Sequence, residues 1–129
     1  MAEERVQRRL AAILAADVVG YSRLIEADEE GTRARMKGLH LELIYPLIAA
    51  DGGRIVKTMG DGILVEFPSV VDAVHSALSI QGAVRRRNAD IAEEIRIEFR
   101  VGVNVGDVII GAVVAHDDAA GNQQLMVVS

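Results

Sequence analysis

The 129-residue sequence contains no cysteine and no tryptophan, and aromatic residues make up only 3% of it. Without cysteine the protein has no disulfide, no thiolate zinc site and no cysteine nucleophile. Two Tyr and two Phe are too few for a surface that stacks the bases of single-stranded nucleic acid. We therefore expect an aliphatic core, in agreement with a hydrophobic fraction of 50%.

Positive charge and long apolar runs are scarce as well. The formal net charge is -5, which argues against a nucleic acid polymer as partner. The only lysines are Lys37 and Lys57, and no Lys or Arg follows Arg100. The apolar run 10–16 is far shorter than the roughly 20 residues that cross a bilayer, and the first residues lack a signal-peptide pattern. We expect one cytoplasmic domain with no membrane segment in this chain.

The first half of the chain shows a strand pattern followed by a helix pattern. Small aliphatic residues from Leu10 to Val19 are typical of a strand buried on both faces, and Gly20 ends the run. Apolar residues at helical spacing predict a helix from Asp28 to Ala50. Its apolar stripe comprises Met36, Leu39, Leu43, Ile44, Leu47 and Ile48. Pro46 predicts a kink or an early end of this helix.

The second half predicts a hairpin, a helix and a long strand. The segments are 54–59 and 63–67 for the hairpin, 70–88 for the helix and 95–105 for the strand. Gly60, Asp61 and Gly62 form the hairpin turn. Strict alternation of apolar and polar residues from Ile95 to Val105 predicts a strand with one covered face. Residues 107–114 continue this strand or return as another one.

The resulting order of elements is β-α-β-β-α-β, which predicts an α+β, ferredoxin-like sandwich with sheet order 4-1-3-2. Asp17 lies near the C-terminal end of the first strand, and Asp61 lies just before the third. These two strands are antiparallel neighbours in this topology. The two carboxylates are therefore expected to converge on one edge of the sheet.

Two close carboxylates repel each other unless a cation lies between them. Mg²⁺ or Mn²⁺ is the natural occupant of a site built from oxygen ligands. The segment Gly20–Ser22 after the first strand can offer backbone N–H groups to phosphate. A metal beside a phosphate cradle indicates phosphoryl transfer from a nucleotide. The alternative is that Asp17 and Asp61 are only a strand-end and a turn residue.

Three motifs carry a family resemblance. Residues 16–22, Ala-Asp-Val-Val-Gly-Tyr-Ser, and residues 57–62, Lys-Thr-Met-Gly-Asp-Gly, resemble the catalytic domain of the class III nucleotidyl cyclases. Residues 100–108 are similar to the strand that follows in that family. The resemblance is greatest to bacterial adenylate cyclases and extends from about Arg9 to Val108. Residues 1–114 are thus expected to be a partial catalytic domain, and 115–129 an atypical tail.

The resemblance implies roles for individual residues. Asp17 and Asp61 match the two catalytic, metal-binding aspartates, and the carbonyl of Val18 matches a backbone metal ligand. The triphosphate-binding turn corresponds to the backbone of Val19, Gly20, Tyr21 and Ser22. Lys57 matches the lysine that selects the purine in adenylate cyclases, where guanylate cyclases usually have Glu. Without the resemblance, Lys57 is an exposed residue on a half-buried strand.

The resemblance also implies a reaction. In such enzymes two Mg²⁺ or Mn²⁺ ions activate the ribose 3′-hydroxyl of ATP for attack on the α-phosphate, and the products are cyclic AMP and pyrophosphate. The active site forms between two protomers, of which one gives the aspartates and the other gives the lysine. ATP as substrate and a homodimer or other self-association follow as expectations.

Several residues that the resemblance implies are missing. The family has a transition-state Asn and, four residues later, an Arg; here Asn122 is the only Asn after Asn104, and Met126 stands four residues beyond it. Loss of such an arginine costs about 10³-fold in rate or more. We therefore expect a C-terminally truncated adenylate cyclase domain that is weak or inactive alone. The alternatives are a non-catalytic module that pairs with a complete cyclase chain, and a structural fragment without a ligand.

Overall fold

The computed structural model describes residues 8–109, 112–115 and 125–128, and the side chains of residues 11–106. The elements in chain order are β1 (Arg8–Val18), α1 (Tyr21–Ala27), α2 (Glu29–Leu39), a π-helical turn (His40–Ile44), α3 (Tyr45–Ala50), β2 (Arg54–Met59), β3 (Gly62–Phe67), α4 (Val70–Asn88), a 3₁₀ turn (Glu93–Ile95), β4 (Phe99–Ile109), β5 (Ala112–Ala115) and β6 (Leu125–Val128). The expected α+β sandwich is confirmed.

The sheet has the order β2-β3-β1-β4, which confirms the predicted 4-1-3-2 arrangement, and all its described pairs are antiparallel. Both β5 and β6 pair with the outer side of β4, β5 along residues 106–109 and β6 along residues 101–104. Residues 112–114 thus return as a strand, and the apolar run at 125–128 joins the same sheet. The expected domain boundary at 114 falls inside β5, and 116–124 lie outside the described residues.

The helices cover one face of the sheet, where alternate strand residues form the core. β1 contributes Ala12, Leu14, Ala16 and Val18 to this cluster, and β4 contributes Phe99, Val101 and Val103. The opposite face carries a smaller cluster of Ala11 and Ile13 with Leu64 packed against it. We call this opposite side the helix-free face. None of the helices in the described part of the chain is long and apolar enough to cross a membrane.

The predicted helix 28–50 is formed by α2 and α3, which are joined without a loop by the π-helical turn. Its core residues are Met36, Leu39, Ile44 and Ile48, whereas Leu43 and Leu47 are only partly buried. The step of five residues from Leu39 to Ile44 spans the π-helical turn, which inserts one residue into the α-helical repeat. The break therefore lies just before Pro46, which occupies the first turn of α3.

Two sequence-based boundaries were wrong. The long strand begins at Phe99 and not at Ile95, because Phe99 pairs with Val18, the last residue of β1, and Ile95 has no partner strand opposite it. The first helix was predicted to begin at Asp28, but Tyr21 already opens the seven-residue helix α1. Only Leu24 of α1 is buried, so the helix has too few apolar residues to show a periodic pattern.

Candidate active site

Asp61 lies in the tight turn between β2 and β3, against the end of β1. The backbone N–H of Val18 donates to Oδ2 of Asp61 at 3.1 Å. At Gly62, an added Cβ would lie 3.2 Å from the carbonyl oxygen of Ala16 and 3.6 Å from Cβ of Asp17, so the hairpin approaches β1 closely there. The predicted convergence of Asp17 and Asp61 on one edge of the sheet is thereby confirmed.

Asp17 is paired with an arginine that the sequence interpretation left without a role. Asp17 stands directly opposite Arg100 in the β1–β4 ladder. The guanidinium of Arg100 donates from Nε to Oδ1 at 3.0 Å and from Nη2 to Oδ2 at 3.2 Å. The hydrogen bond and charge of Asp17, with a smaller contribution from the charge of Asp61, raise the pKa of Arg100. Arg100 is therefore in the field of both carboxylates.

The turn after β1 leads directly into α1. Gly20 has φ 64°, a left-handed conformation that favours glycine, and its carbonyl accepts the N–H of Leu24. No side chain caps this helix, and the first N–H groups of an α-helix have no acceptors within it. Val19 is tied to the sheet because its N–H donates to the carbonyl of Glu98 at 2.8 Å. The backbone from Val19 to Ser22 thus lies beside the carboxylate pair.

Lys57 reaches the helix-free face because of a β-bulge. Ile55 packs on the core and pairs with Val65, whereas Lys57 pairs with Leu64, which belongs to the helix-free face. The register shift between Ile55 and Lys57 leaves Val56 as the extra residue. Without the bulge, Lys57 would share the core face with Ile55, since side chains alternate along a strand. Asp17 lies on the same face as Lys57, two strands away.

The donor set suits a hard divalent cation. Two carboxylates at one sheet edge, with the carbonyl of Val18 between them in sequence, are oxygen ligands of the kind that Mg²⁺ and Mn²⁺ take. Among the side chains that the structure describes, no group of three or more His, Cys, Asp and Glu could hold a metal by itself. One or two carboxylates completed by substrate phosphates is the usual way that proteins bind Mg²⁺. The residues present therefore fit such an ion bound together with a nucleotide.

Arg100 is the site residue that sequence reasoning missed, although a signal for it existed. The alternation in 95–105 places Arg100 among the polar residues, and the 4-1-3-2 order sets the strand beside β1. The pairing register between this strand and β1 could not be assigned, because the predicted strand began four residues too early. Once Phe99 is set opposite Val18, Arg100 falls opposite Asp17.

Comparisons with known proteins agree with this geometry. A putative adenylate cyclase 3 from Rhizobium meliloti is 49% identical over 110 residues, which are 85% of this chain and 19% of that protein. An adenylate cyclase from Streptomyces coelicolor is 35% identical over 82% of this chain and 26% of that protein. The crystal structure of an adenylate/guanylate cyclase/hydrolase from Silicibacter pomeroyi is 45% identical with a TM-score of 0.79, over 87% of this chain and 66% of that one. No family model matches.

The strand order of this antiparallel α+β sandwich and its similarity to solved cyclases define a domain of the nucleotidyl cyclase class. The chain belongs to the class III adenylate/guanylate cyclase family. It spans about a fifth to a quarter of the length of the curated relatives and 66% of the solved domain from Silicibacter pomeroyi.

Proposed function

We propose that this chain is part of an adenylate cyclase domain that converts ATP to cyclic AMP and pyrophosphate by two-metal phosphoryl transfer at a dimer interface. The observation that carries the proposal is the convergence of Asp17 and Asp61, which lie 44 residues apart in sequence and meet at the end of β1. Two carboxylates at one point have a ready function in binding divalent cations. The cyclase relatives supply the substrate class.

The chain's own residues would hold the nucleotide in the following way. Asp17, Asp61 and the carbonyl of Val18 would hold Mg²⁺ or Mn²⁺. Bound there, two such ions would supply Lewis-acid activation of the ribose 3′-hydroxyl and of the α-phosphate. The backbone N–H groups of Val19, Gly20, Tyr21 and Ser22 would bind the triphosphate, because anions are stabilised by the free N–H groups of a tight turn that opens a helix.

Lys57 would recognise the purine from the other protomer. Within one protomer, two strand spacings separate Lys57 from Asp17, which is about 10 Å across the sheet. Its side chain is exposed on the helix-free face. An ammonium donates to the ring nitrogen of adenine, which is an acceptor, and is poorly suited to the corresponding N–H of guanine.

Exposed apolar side chains support self-association at the same edge. Val19 follows β1 and is 41% exposed, and Met59 precedes the Asp61 turn and is 43% exposed. Large apolar side chains that flank a polar site are typical of a surface that another protein covers. A second copy seated there would bring its own Lys57 towards this protomer's aspartates.

A second candidate function is a non-catalytic module that pairs with a complete cyclase chain. It is favoured by the exposed apolar side chains of Val19 and Met59 beside the aspartates, which suit a complete cyclase chain as well as a second copy of this one. The partner chain would then supply the transition-state Asn and Arg, and this chain would supply the aspartates.

One assay separates the two functions. Cyclic AMP formation from ATP with Mn²⁺ is measured for the chain alone, and for the chain mixed with a full-length homologue whose own metal-binding aspartates are changed to Asn. Activity of the chain alone supports the enzyme, and activity only in the mixture supports the module. An Asp17→Asn, Asp61→Asn chain is the control, and it should be inactive in both arms. Activity of this control, or no activity in either arm, would overturn the proposal. GTP in place of ATP tests purine choice.

A further inference from the structure

We propose that Arg100 competes with divalent cations for the carboxylate of Asp17. Its guanidinium donates to both oxygens of Asp17 and has to move before a divalent cation can bind both of them. The inference rests on the metal-binding role proposed above for Asp17 and Asp61, and it adds a residue that controls access to that site.

Both oxygens of the Asp17 carboxylate already accept hydrogen bonds from Arg100. Arg100 and Asp17 face each other across the ladder, and two N–H groups of one guanidinium bind the two oxygens, at 3.0 Å and 3.2 Å. Such two-point, charge-assisted bonds fix the orientation of both groups. A cation that approaches Asp17 therefore finds one lone pair of each oxygen engaged and a positive charge beside the carboxylate.

Asp61 is held in a different way. Its Oδ2 accepts one backbone N–H, that of Val18, which is neutral and does not compete as a charge. Among the described residues, Arg100 is the cationic side chain that hydrogen-bonds to the carboxylate pair. Access to the site is thus controlled at Asp17.

A guanidinium can only compete with a metal ion, because it has five donors and no acceptor. A divalent ion beside it would meet an unfavourable positive charge at close range. The side chain of Arg100 is 70% exposed and that of Asp17 is 47% exposed, so the bridge opens into water without disturbing the core. Exposed pairs of this kind contribute little to stability, so the bridge should weaken metal binding by about fivefold and not abolish it.

Mn²⁺ binding to the 129-residue chain tests the proposal. It is measured by titration calorimetry and by the loss of the electron paramagnetic resonance signal of free Mn²⁺. The variants are Arg100→Gln, which removes the guanidinium, and Arg100→Lys, which keeps the charge and loses the two-point geometry. Arg33→Gln is the matched control, since Arg33 is 66% exposed and pairs with Glu29 on α2. We expect Arg100→Gln to bind Mn²⁺ about fivefold more tightly, Arg100→Lys to lie between it and the wild type, and Arg33→Gln to match the wild type.

The outcomes are distinct. Equal or weaker Mn²⁺ binding by Arg100→Gln would overturn the proposal, and so would an Arg100→Lys variant identical to the wild type, which would reduce the effect to charge repulsion. If wild-type binding is lost in Asp61→Asn while Arg100→Gln shows no gain, the inference fails and the proposed function stands. If neither the wild type nor Arg100→Gln binds Mn²⁺ alone, the inference fails, and the proposed metal site itself fails if a non-hydrolysable ATP analogue does not restore Mn²⁺ binding.

Thermal unfolding gives an independent measurement. Without metal, Arg100→Gln should melt at a lower temperature than the wild type, because the carboxylate of Asp17 loses its cation and remains near Asp61. Saturating Mn²⁺ should raise the melting temperature of Arg100→Gln by more than that of the wild type. A smaller rise in Arg100→Gln would contradict the proposal.

Discussion

The backbone N–H of Val18 donates to Oδ2 of Asp61 at 3.1 Å, across 43 residues of sequence. This bond connects the turn of the β2–β3 hairpin to the end of the central strand. The carboxylate of Asp61 is thereby oriented before any ligand arrives. A preoriented ligand loses less conformational entropy when it binds a metal.

Replacement of Asp61 should separate its structural contribution from its role in metal binding. Asp61→Ala removes the acceptor of the Val18 N–H and should lower the free energy of unfolding by about 1 kcal/mol. Asp61→Asn keeps an acceptor and should cost less than half of that. Both variants should lose Mn²⁺ binding. Urea denaturation followed by circular dichroism, together with Mn²⁺ titration, measures the two effects.

Asp90→Ala is the control for Asp61→Ala, because Asp90 is an exposed aspartate far along the chain from the hairpin. It should leave both the stability and Mn²⁺ binding unchanged. If Asp61→Asn binds Mn²⁺ as the wild type does, Asp61 is only a turn residue.

Lys57 should be dispensable for the fold but not for nucleotide use. Its side chain is exposed on β2, so Lys57→Ala should change the free energy of unfolding by less than about 0.5 kcal/mol. In the self-associated chain, where one protomer gives Lys57 and the other gives the aspartates, the affinity for ATP with Mn²⁺ should fall roughly tenfold in Lys57→Ala, as expected for one lost charged hydrogen bond. Titration calorimetry measures this affinity. Lys37→Ala, on the exposed surface of α2, is the matched control. Equal ATP affinity of the two variants would count against Lys57 as the purine-selecting residue.

The π-helical turn should tolerate the loss of one residue. Leu41 is 56% exposed in this turn, and its deletion brings Leu39 and Ile44 to the four-residue spacing of a regular α-helix. The variant should fold, with a free energy of unfolding within about 1 kcal/mol of the wild type. Deletion of Ala34, an exposed residue in the regular part of α2, rotates the residues after it out of the core and should cost about 3 kcal/mol or more. If the two deletions lower the free energy of unfolding equally, the π-helical turn does not arise from one inserted residue.

The pKa values of His40 and His75 should be shifted in opposite directions from the ordinary value near 6.5. The hydrogen bond and charge of Asp51 raise the pKa of His75. The pair therefore stabilises the fold fully below pH 6.5, and this contribution is lost as the pH rises through the raised pKa. Burial lowers the pKa of His40, which stacks on Tyr45 at 5.2 Å. The neutral form of His40 therefore stabilises the fold above 6.5, and this contribution is lost as the pH falls through the lowered pKa.

A proton NMR titration of the two imidazole rings measures this difference, with His40→Gln and His75→Gln to assign the signals. Asp51→Asn should return the pKa of His75 towards 6.5 and leave that of His40 in place. A His75 pKa below 6.5 in the wild type would contradict the assigned interaction.

Several elements of the fold could be predicted because local pattern determines them. The bounds of β2 and α4 are those expected from turn residues and apolar spacing, and Ser69 caps α4 by accepting the N–H of Asp72 at 3.1 Å. The start of β4 could not be predicted, because Ile95 and Ile97 alternate as strand residues do and only the end of β1 decides where pairing begins. A hydrophobic pattern specifies which face is covered and not which neighbour is present.

The candidate site shows the same division. Topology alone brought Asp17 and Asp61 together, since adjacent antiparallel strands place their opposite ends side by side. The orientation of Lys57 could not be predicted, because it depends on a single bulged residue, Val56, that leaves no mark in the alternation. The partner of Asp17 depends on register, which is a property of two strands 83 residues apart.

The position of β1 has a consequence for how the chain folds. Both neighbours of this central strand are distant in sequence, and the β1–β4 ladder joins residues such as Asp17 and Arg100 that are 83 positions apart. Loop-closure entropy makes such pairings slow to form. During synthesis, β1 leaves the ribosome before β4 and remains without this partner until Arg100 has emerged, roughly 4–17 s later at 5–20 residues per second. For that interval the apolar strand is exposed to aggregation and to chaperones.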